Sequence, residues 1–167
     1  IASLKPDTKK LSAPQVAIVY ANGQIVDGEG YDDMIYGNTL AAEIKEVAED
    51  DEIKAVVVRV NSPGGSALAS DIIWREMTLL QEKKPVVISM GEYAASGGYY
   101  ISAPADAIVA DRMTLTGSIG VFGMMPTTAP ALEKHLGITF DGVKTNAHAD
   151  MAQGIESLDA TEYKAMM

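Results

Sequence analysis

Residues 55–65 read AVVVRVNSPGG. The nearly unbroken apolar run from Ala55 to Val60 is the pattern of a strand buried on both faces, as found inside parallel sheets. It stops at Asn61-Ser62-Pro63-Gly64-Gly65, and helical spacing follows over residues 66–81, where Ala69, Ile72, Ile73, Met77 and Leu80 share a face. The same grammar recurs downstream. Residues 85–90 (PVVISM) predict a second strand, which runs through Gly91 to Ala94-Ala95-Ser96-Gly97-Gly98 and a short small-residue helix over 97–103. Residues 107–110 predict a third, followed by Leu115-Thr116-Gly117-Ser118-Ile119-Gly120.

Upstream, residues 15–20 (QVAIVY) predict another strand, closed by the Asn22-Gly23 turn signal, with residues 24–26 pairing back. Residues 28–36 form a Gly/Asp/Tyr-rich loop. A helix is expected over 39–49, with Leu40, Ala41, Ile44, Val47 and Ala48 on its apolar face and Asn38 or Thr39 as N-cap. Towards the C-terminus the pattern predicts a helix over 130–136, a strand over 138–144 and an interrupted helix over 162–167. Residues 1–14 are polar and Lys-rich and read as a linker or flexible arm, leaving 15–167 as one domain.

Strand, glycine turn and helix therefore alternate at a spacing of roughly thirty residues, the mark of an α/β layer architecture with a mainly parallel sheet. In such folds sites gather where strands end and helices begin. Both Gly-rich turns lie at that kind of edge.

Composition narrows the function classes. A formal net charge of −10 over 167 residues opposes nucleic-acid binding, which needs a basic patch to displace counterions. It equally opposes direct docking on anionic lipid. Without cysteine there are no disulfides or thiolate metal sites, and two histidines, His135 and His148, without HExxH spacing make no His-based metal cluster; no cofactor is expected. No apolar run approaches the ~20 residues of a membrane span. The chain begins at Ile1 and reads as a piece of a longer protein.

Ser96 is the first candidate for chemistry. Small neighbours would let a substrate backbone approach, and free N–H groups at a helix start could stabilise an oxyanion. The plainer reading of Ser96 is a helix cap in a tightly packed segment. The Gly64-Gly65 turn could supply a second set of N–H groups, or could be a tight turn that needs glycine for its backbone angles. Neither turn is a phosphate loop, since there is neither GxxxxGK[ST] nor a helix-opening GxGxxG.

A serine nucleophile requires a base. His135 sits in an amphipathic segment and reads as a surface histidine, and His148, near Asp150, reads equally well as a loop residue. The order of Ser96, His148 and Asp150 is not that of an α/β-hydrolase, and Ala94 occupies the first glycine position of GxSxG. A lysine would serve only if burial or a cationic neighbour kept its amine neutral. Lys144, at the end of the expected strand over 138–144, is the local candidate.

Three segments together, Asn61 to Ser66, Ala94 to Tyr100 and Leu115 to Gly120, closely resemble the signal peptide peptidase family (SppA or protease IV, peptidase family S49). The resemblance runs from about Val16 to the C-terminus. It implies a crotonase/ClpP-like fold of repeated β-β-α units and a Ser/Lys dyad that degrades signal peptides. It makes Ser96 the nucleophile, Gly97 and the Gly64-Gly65 turn the oxyanion hole, and Ser118 the residue that orients the lysine base. The stretch in which short family members carry that lysine corresponds to 144–150, with Ala149 at the catalytic position. A methyl group cannot take a proton. Long members of the family are tandem duplications in which the other half provides the lysine. This chain is therefore expected to be the C-terminal half of such a protein, inactive alone, with Lys144 structural.

The resemblance further implies apolar peptide substrates, the N-terminal half as partner, a homo-oligomer, and a parent anchored in the bacterial cytoplasmic membrane with this domain on its outer side. Two other readings stand beside it: an inactive assembly half, and a crotonase-type acyl-CoA enzyme. The last shares the oxyanion logic but gives Ser96 no task.

Overall fold

The computed structural model describes residues 14–151 and 153–166. The polar arm expected over 1–14 lies, apart from Pro14, outside the described residues. The chain divides into two compact units, residues 1–121 and 122–167.

The first unit contains β1 (Gln15–Asn22), β2 (Ile25–Val26), β3 (Ile35–Tyr36), α1 (Gly37–Glu49), β4 (Ile53–Ser62), α2 (Ala67–Gln81), β5 (Val86–Ala95), α3 (Gly97–Ser102), β6 (Ala107–Val109) and β7 (Leu115–Gly117). Its five-stranded sheet runs β1-β4-β5-β6, with β7 added beside the far end of β5. Every pairing is parallel. The fold is thus the mainly parallel α/β arrangement that the alternating pattern predicts.

The core shows why these residues choose these elements. Val56, Val58 and Val60 of β4, Val86, Ile88 and Met90 of β5, and Val19 and Ala21 of β1 all point to one face. There they meet Leu40 and Ile44 of α1, Ile73, Met77 and Leu80 of α2, and Ile101 of α3. Burying a side chain of this size contributes about 1.5–3 kcal/mol. The three helices pack against one another as a single layer.

The expectation that 55–60 is buried on both faces needs correction. Val56, Val58 and Val60 are buried, whereas Ala55, Val57 and Arg59 are half-buried. On the same side Val16, Ile18 and Tyr20 of β1 are exposed, because the helices cover only the opposite face of the first unit's sheet.

Several local expectations also shift. Residues 24–26 do not fold back on β1. Gly23, with φ of 107°, donates its N–H to the Asn61 carbonyl, and the chain turns out of the sheet. Ile25 then pairs in parallel with Ile35 and bridges to Gly65. Helix α1 begins earlier than expected, with Tyr36 at the cap position and no side-chain cap bond. Thr39 is occupied elsewhere, since its Oγ1 accepts the Gly30 N–H. Helix α2 matches its pattern closely, and Ser66 caps it by accepting the Ala69 N–H at 3.2 Å.

The second unit holds α4 (Ala129–Leu136) and α5 (Ala160–Met166). Pro130 sits in the first turn of α4, and Gly137 closes it in the left-handed region with φ of 65°. The strand expected over 138–144 does not form. A strand needs a ladder partner, and the described residues of this unit offer none. The Gly142 N–H turns instead to the Asp141 carboxylate at 2.8 Å. Among the described residues, no helix is long and apolar enough to cross a membrane.

Candidate active site

Three parallel strands end side by side, and each ends in a turn that the sequence singled out. Ser62 at the end of β4 pairs with Ala94 of β5, and Ala95 pairs with Gly117 of β7. The turns Pro63-Gly64-Gly65, Ser96-Gly97 and Gly117-Ser118 therefore share one edge of the sheet.

Ser96 lies between β5 and α3 with φ of 53° and ψ of −118°. A non-glycine residue in such a conformation carries strain of about 1–3 kcal/mol and persists only where its surroundings hold it. Two backbone bonds do so. The Ser96 N–H donates to the Gly117 carbonyl at 2.9 Å, and the Ser96 carbonyl accepts the Tyr100 N–H at 2.9 Å. The Ser96 side chain makes no cap bond to α3, which removes the plain capping role. Ser118, with φ of 52°, is the only other non-glycine residue of positive φ among those described.

Gly64 lies directly against this serine. A Cβ on Gly64 would stand 2.6 Å from the Gly97 nitrogen and 2.8 Å from both the Ala95 carbonyl oxygen and Ser96 Cβ. On Gly97 a Cβ would run into Ser70 Oγ and come within 3.3 Å of Gly64 Cα. The two backbones approach as closely as they do only because both side chains are absent.

Around the turn, Gly64 N–H donates to Ser62 Oγ at 3.1 Å and Gly64 carbonyl accepts the Ile25 N–H at 2.9 Å. Ser66 N–H donates to the Ile25 carbonyl, and Ser66 Oγ bonds the Asp27 carboxylate. Ser62 and Ser70 are fully buried and had no task assigned from sequence. In the sequence Ser62 stands beside Asn61 in the turn over 61–65 and Ser70 beside Asp71 in the helical stretch, so nothing there sets either apart.

The remaining candidates belong to the second unit. Lys144 is not on a strand; its Nζ pairs with Asp150 at 2.5 Å. That hydrogen bond raises the Lys144 pKa, and lowers that of Asp150. An amine so held stays an ammonium, the opposite of what a general base requires. His135 lies exposed in the last turn of α4.

His148 bonds Glu162 through Nδ1 at 3.0 Å, and with Asp159 these residues bring three possible metal-ligand atoms within 4.8 Å. A helix cap accounts for the carboxylates. Asp159 Oδ1 accepts the N–H groups of Thr161 and Glu162, while Glu162 Oε2 accepts the Asp159 N–H. This reciprocal capping box at the start of α5 satisfies both acids without an ion.

A parallel sheet under one helical layer, with glycine turns at the strand ends, defines an α/β domain of the ClpP/crotonase class, and residues 11–119 match the Clp protease family. Residues 78–167 match peptidase family S49, and the chain belongs to that family. It is 44% identical over 155 residues to Protease 4 of Haemophilus influenzae, covering 89% of this chain and 25% of the relative. It is 48% identical to Protease 4 of Salmonella typhi, covering 82% and 22%. It is 43% identical to the chloroplastic serine protease SPPA of Arabidopsis thaliana, covering 82% and 21%. The chain thus spans about a quarter of the length of these relatives. Among solved structures, the 1510-N membrane-bound stomatin-specific protease, in a lysine-to-alanine form with a substrate peptide, superposes with a TM-score of 0.52. Identity is 24%, over 70% of this chain and 49% of that one, and the likeness is one of fold.

Proposed function

We propose that this chain is the nucleophile-bearing domain of a serine endopeptidase that degrades apolar signal peptides, with Ser96 as nucleophile and a lysine base supplied from elsewhere in a longer protein. The observation that carries the reading is the left-handed Ser96, held between the Gly64 turn and the Gly117 carbonyl with its side chain free of any capping bond.

The chemistry follows from that placement. A neutral lysine amine takes the proton from Ser96 Oγ, and the oxygen attacks the scissile carbonyl carbon. Negative charge then develops on the carbonyl oxygen, where the N–H groups of Gly97 and of the Gly64-Gly65 turn stabilise it. Within that turn Gly65 is the donor, because Gly64 N–H is already given to Ser62. Collapse expels the peptide amine, which takes up the proton from the lysine ammonium. Water then attacks the acyl-enzyme and releases the second product. Ser118, next along the chain from the Ser96 partner Gly117, accepts a hydrogen bond from the lysine and holds its amine towards Ser96.

Lys144 does not fill the role of base, since its pairing with Asp150 favours the ammonium form. Ala149 stands where short family members carry their lysine. A base from another part of the protein, a tandem half above all, resolves this. The same reading places the parent at the bacterial cytoplasmic membrane with this domain on the outer side, as a homo-oligomer that brings its halves together.

The test is hydrolysis of an apolar fluorogenic peptide by this chain, by the full-length protein and by its Ser96→Ala variant. The expected result is an active full-length protein, a silent isolated chain and a loss in the variant of several orders of magnitude. Near-normal turnover in Ser96→Ala would overturn the reading.

A further inference from the structure

Two adjacent glycines form the turn beside Ser96, with φ of 94° at Gly64 and 156° at Gly65. Glycine permits the close approach to Ser96 and Gly97, but it also leaves the peptide planes free to rotate. An N–H group that must meet a developing charge works through its fixed direction, so that freedom has to be removed.

The fold removes it from both sides. Beyond the turn, Ile25 accepts the Ser66 N–H and donates to the Gly64 carbonyl. Before the turn the work falls to one side chain. Ser62, the last residue of β4, is fully buried, and its Oγ accepts the Gly64 N–H at 3.1 Å. Pro63 has no N–H to give. Of the N–H groups from Pro63 to Ser66, that of Gly65 alone has no partner among the described residues. Ser62 also touches the other half of the site, for a Cβ on Gly98 would lie 2.6 Å from the Ser62 carbonyl oxygen and 3.2 Å from its Cβ.

We propose that Ser62 is a positioning residue for the oxyanion hole: its buried hydroxyl fixes the Gly64 peptide and thereby aims the Gly65 N–H at the reacting carbonyl. This inference rests on the reading of Ser96 as nucleophile. Ser62 does not touch substrate and takes no proton; it acts through the glycine turn. Without the hydroxyl, the Gly64 N–H is left unpaired in a buried place and turns to find another acceptor. Gly65 turns with it. The ground-state peptide, bound along its length, is held nearly as before, while the transition state loses an aligned donor.

The experiment uses the full-length protein with Ser62→Ala and Ser62→Cys, the latter keeping the shape in a somewhat larger side chain but offering a weaker acceptor. Peptide hydrolysis, labelling by a fluorophosphonate and hydrogen exchange of the 61–66 segment are measured, with Ser96→Ala as control. The expected result is a fall in kcat of about 10- to 100-fold with KM unchanged within about twofold. Fluorophosphonate labelling slows in parallel, since attack at phosphorus also develops charge on oxygen, and exchange at 61–66 quickens while that of β4 before it stays slow. Unchanged kcat in a folded Ser62 variant, with Ser96→Ala inactive, would overturn the inference and leave the nucleophile standing. A rise in KM alone would overturn it equally. Should Ser62→Ala fail to fold, Ser62→Cys carries the kinetic comparison. Full turnover in Ser96→Ala would remove the nucleophile, and this inference with it.

Discussion

The Ser96 N–H donates to the Gly117 carbonyl oxygen at 2.9 Å, so the residue after β5 is tied to the last residue of β7. Thr116 reinforces the tie, its Oγ1 donating to the Ala94 carbonyl at 2.8 Å. The left-handed backbone of Ser96 is thus imposed by the sheet and not by local preference. Glycine at this position relieves the strain at the cost of the hydroxyl. Ser96→Gly is expected to abolish turnover in the full-length protein while raising stability by about 1 kcal/mol, and Ser96→Ala to abolish turnover without that gain. Thermal unfolding of the two variants beside the parent checks this. Equal midpoints for glycine and alanine would mean that the Ser96 conformation is unstrained.

Gly97 faces a different constraint, space. A methyl group there meets Ser70 Oγ, which is buried and donates to the Ser66 carbonyl at 2.7 Å. Gly97→Ala is expected to destabilise by about 1–3 kcal/mol, the usual range for an added methylene in a packed core. Adding Ser70→Ala frees the space, so the double variant should recover part of the loss, and the two substitutions should not add. Chemical denaturation of the two single variants and the double variant measures the coupling. Strict additivity would place the clash elsewhere, for instance on Ile25 Cδ1 at 3.1 Å.

These turns were legible because a strand that ends in Gly-Gly announces itself in one dimension. The apolar runs at 55–60 and 85–90 and the helical spacing at 66–81 became β4, β5 and α2 with little displacement. What the pattern could not hold was pairing. The expected return of residues 24–26 onto β1 gave way to a parallel bridge with Gly65, a contact forty residues distant along the chain. Nor could it tell a strand from an irregular segment at 138–144, where apolar alternation exists but no partner among the described residues does. Ser62 and Ser70 were missed because a buried serine looks like any other serine until its hydrogen bond is seen.

Asp106 gives the first unit a measurable acid dependence. Its Oδ2 accepts the Val86 N–H at 2.7 Å, and its Oδ1 accepts the Gln81 Nε2 donor at 2.8 Å, fastening the start of β5. The hydrogen bond from Val86, then that from Gln81, holds its pKa below the ordinary aspartate value. A depressed folded pKa gives stability that is present above the unfolded value and is lost as pH falls through the folded one. The unfolding midpoint of the parent should therefore drop on acidification below about pH 4 more steeply than that of Asp106→Asn, which keeps an acceptor oxygen but no charge. Parallel curves for the two proteins would show that the carboxylate contributes nothing specific.

The base is the last question the geometry bears on, and Lys144 is where it can be tested. Its hydrogen bond to Asp150 is the largest cause of its raised pKa, with Glu156 and Glu162 adding attraction for the ammonium. A catalytic lysine needs the reverse, burial or cationic neighbours that release the proton near neutral pH. Replacing Lys144 by Met should leave turnover of the full-length protein within about threefold of the parent, since only a partly exposed ion pair is lost. The acid limb of its pH–rate profile, where the catalytic base loses its proton, should not move either. If Lys144→Met instead silenced the enzyme while Asp150→Asn shifted that limb downward, the lysine would be the base after all. The proton would then stay within this chain, and the need for a second half would vanish.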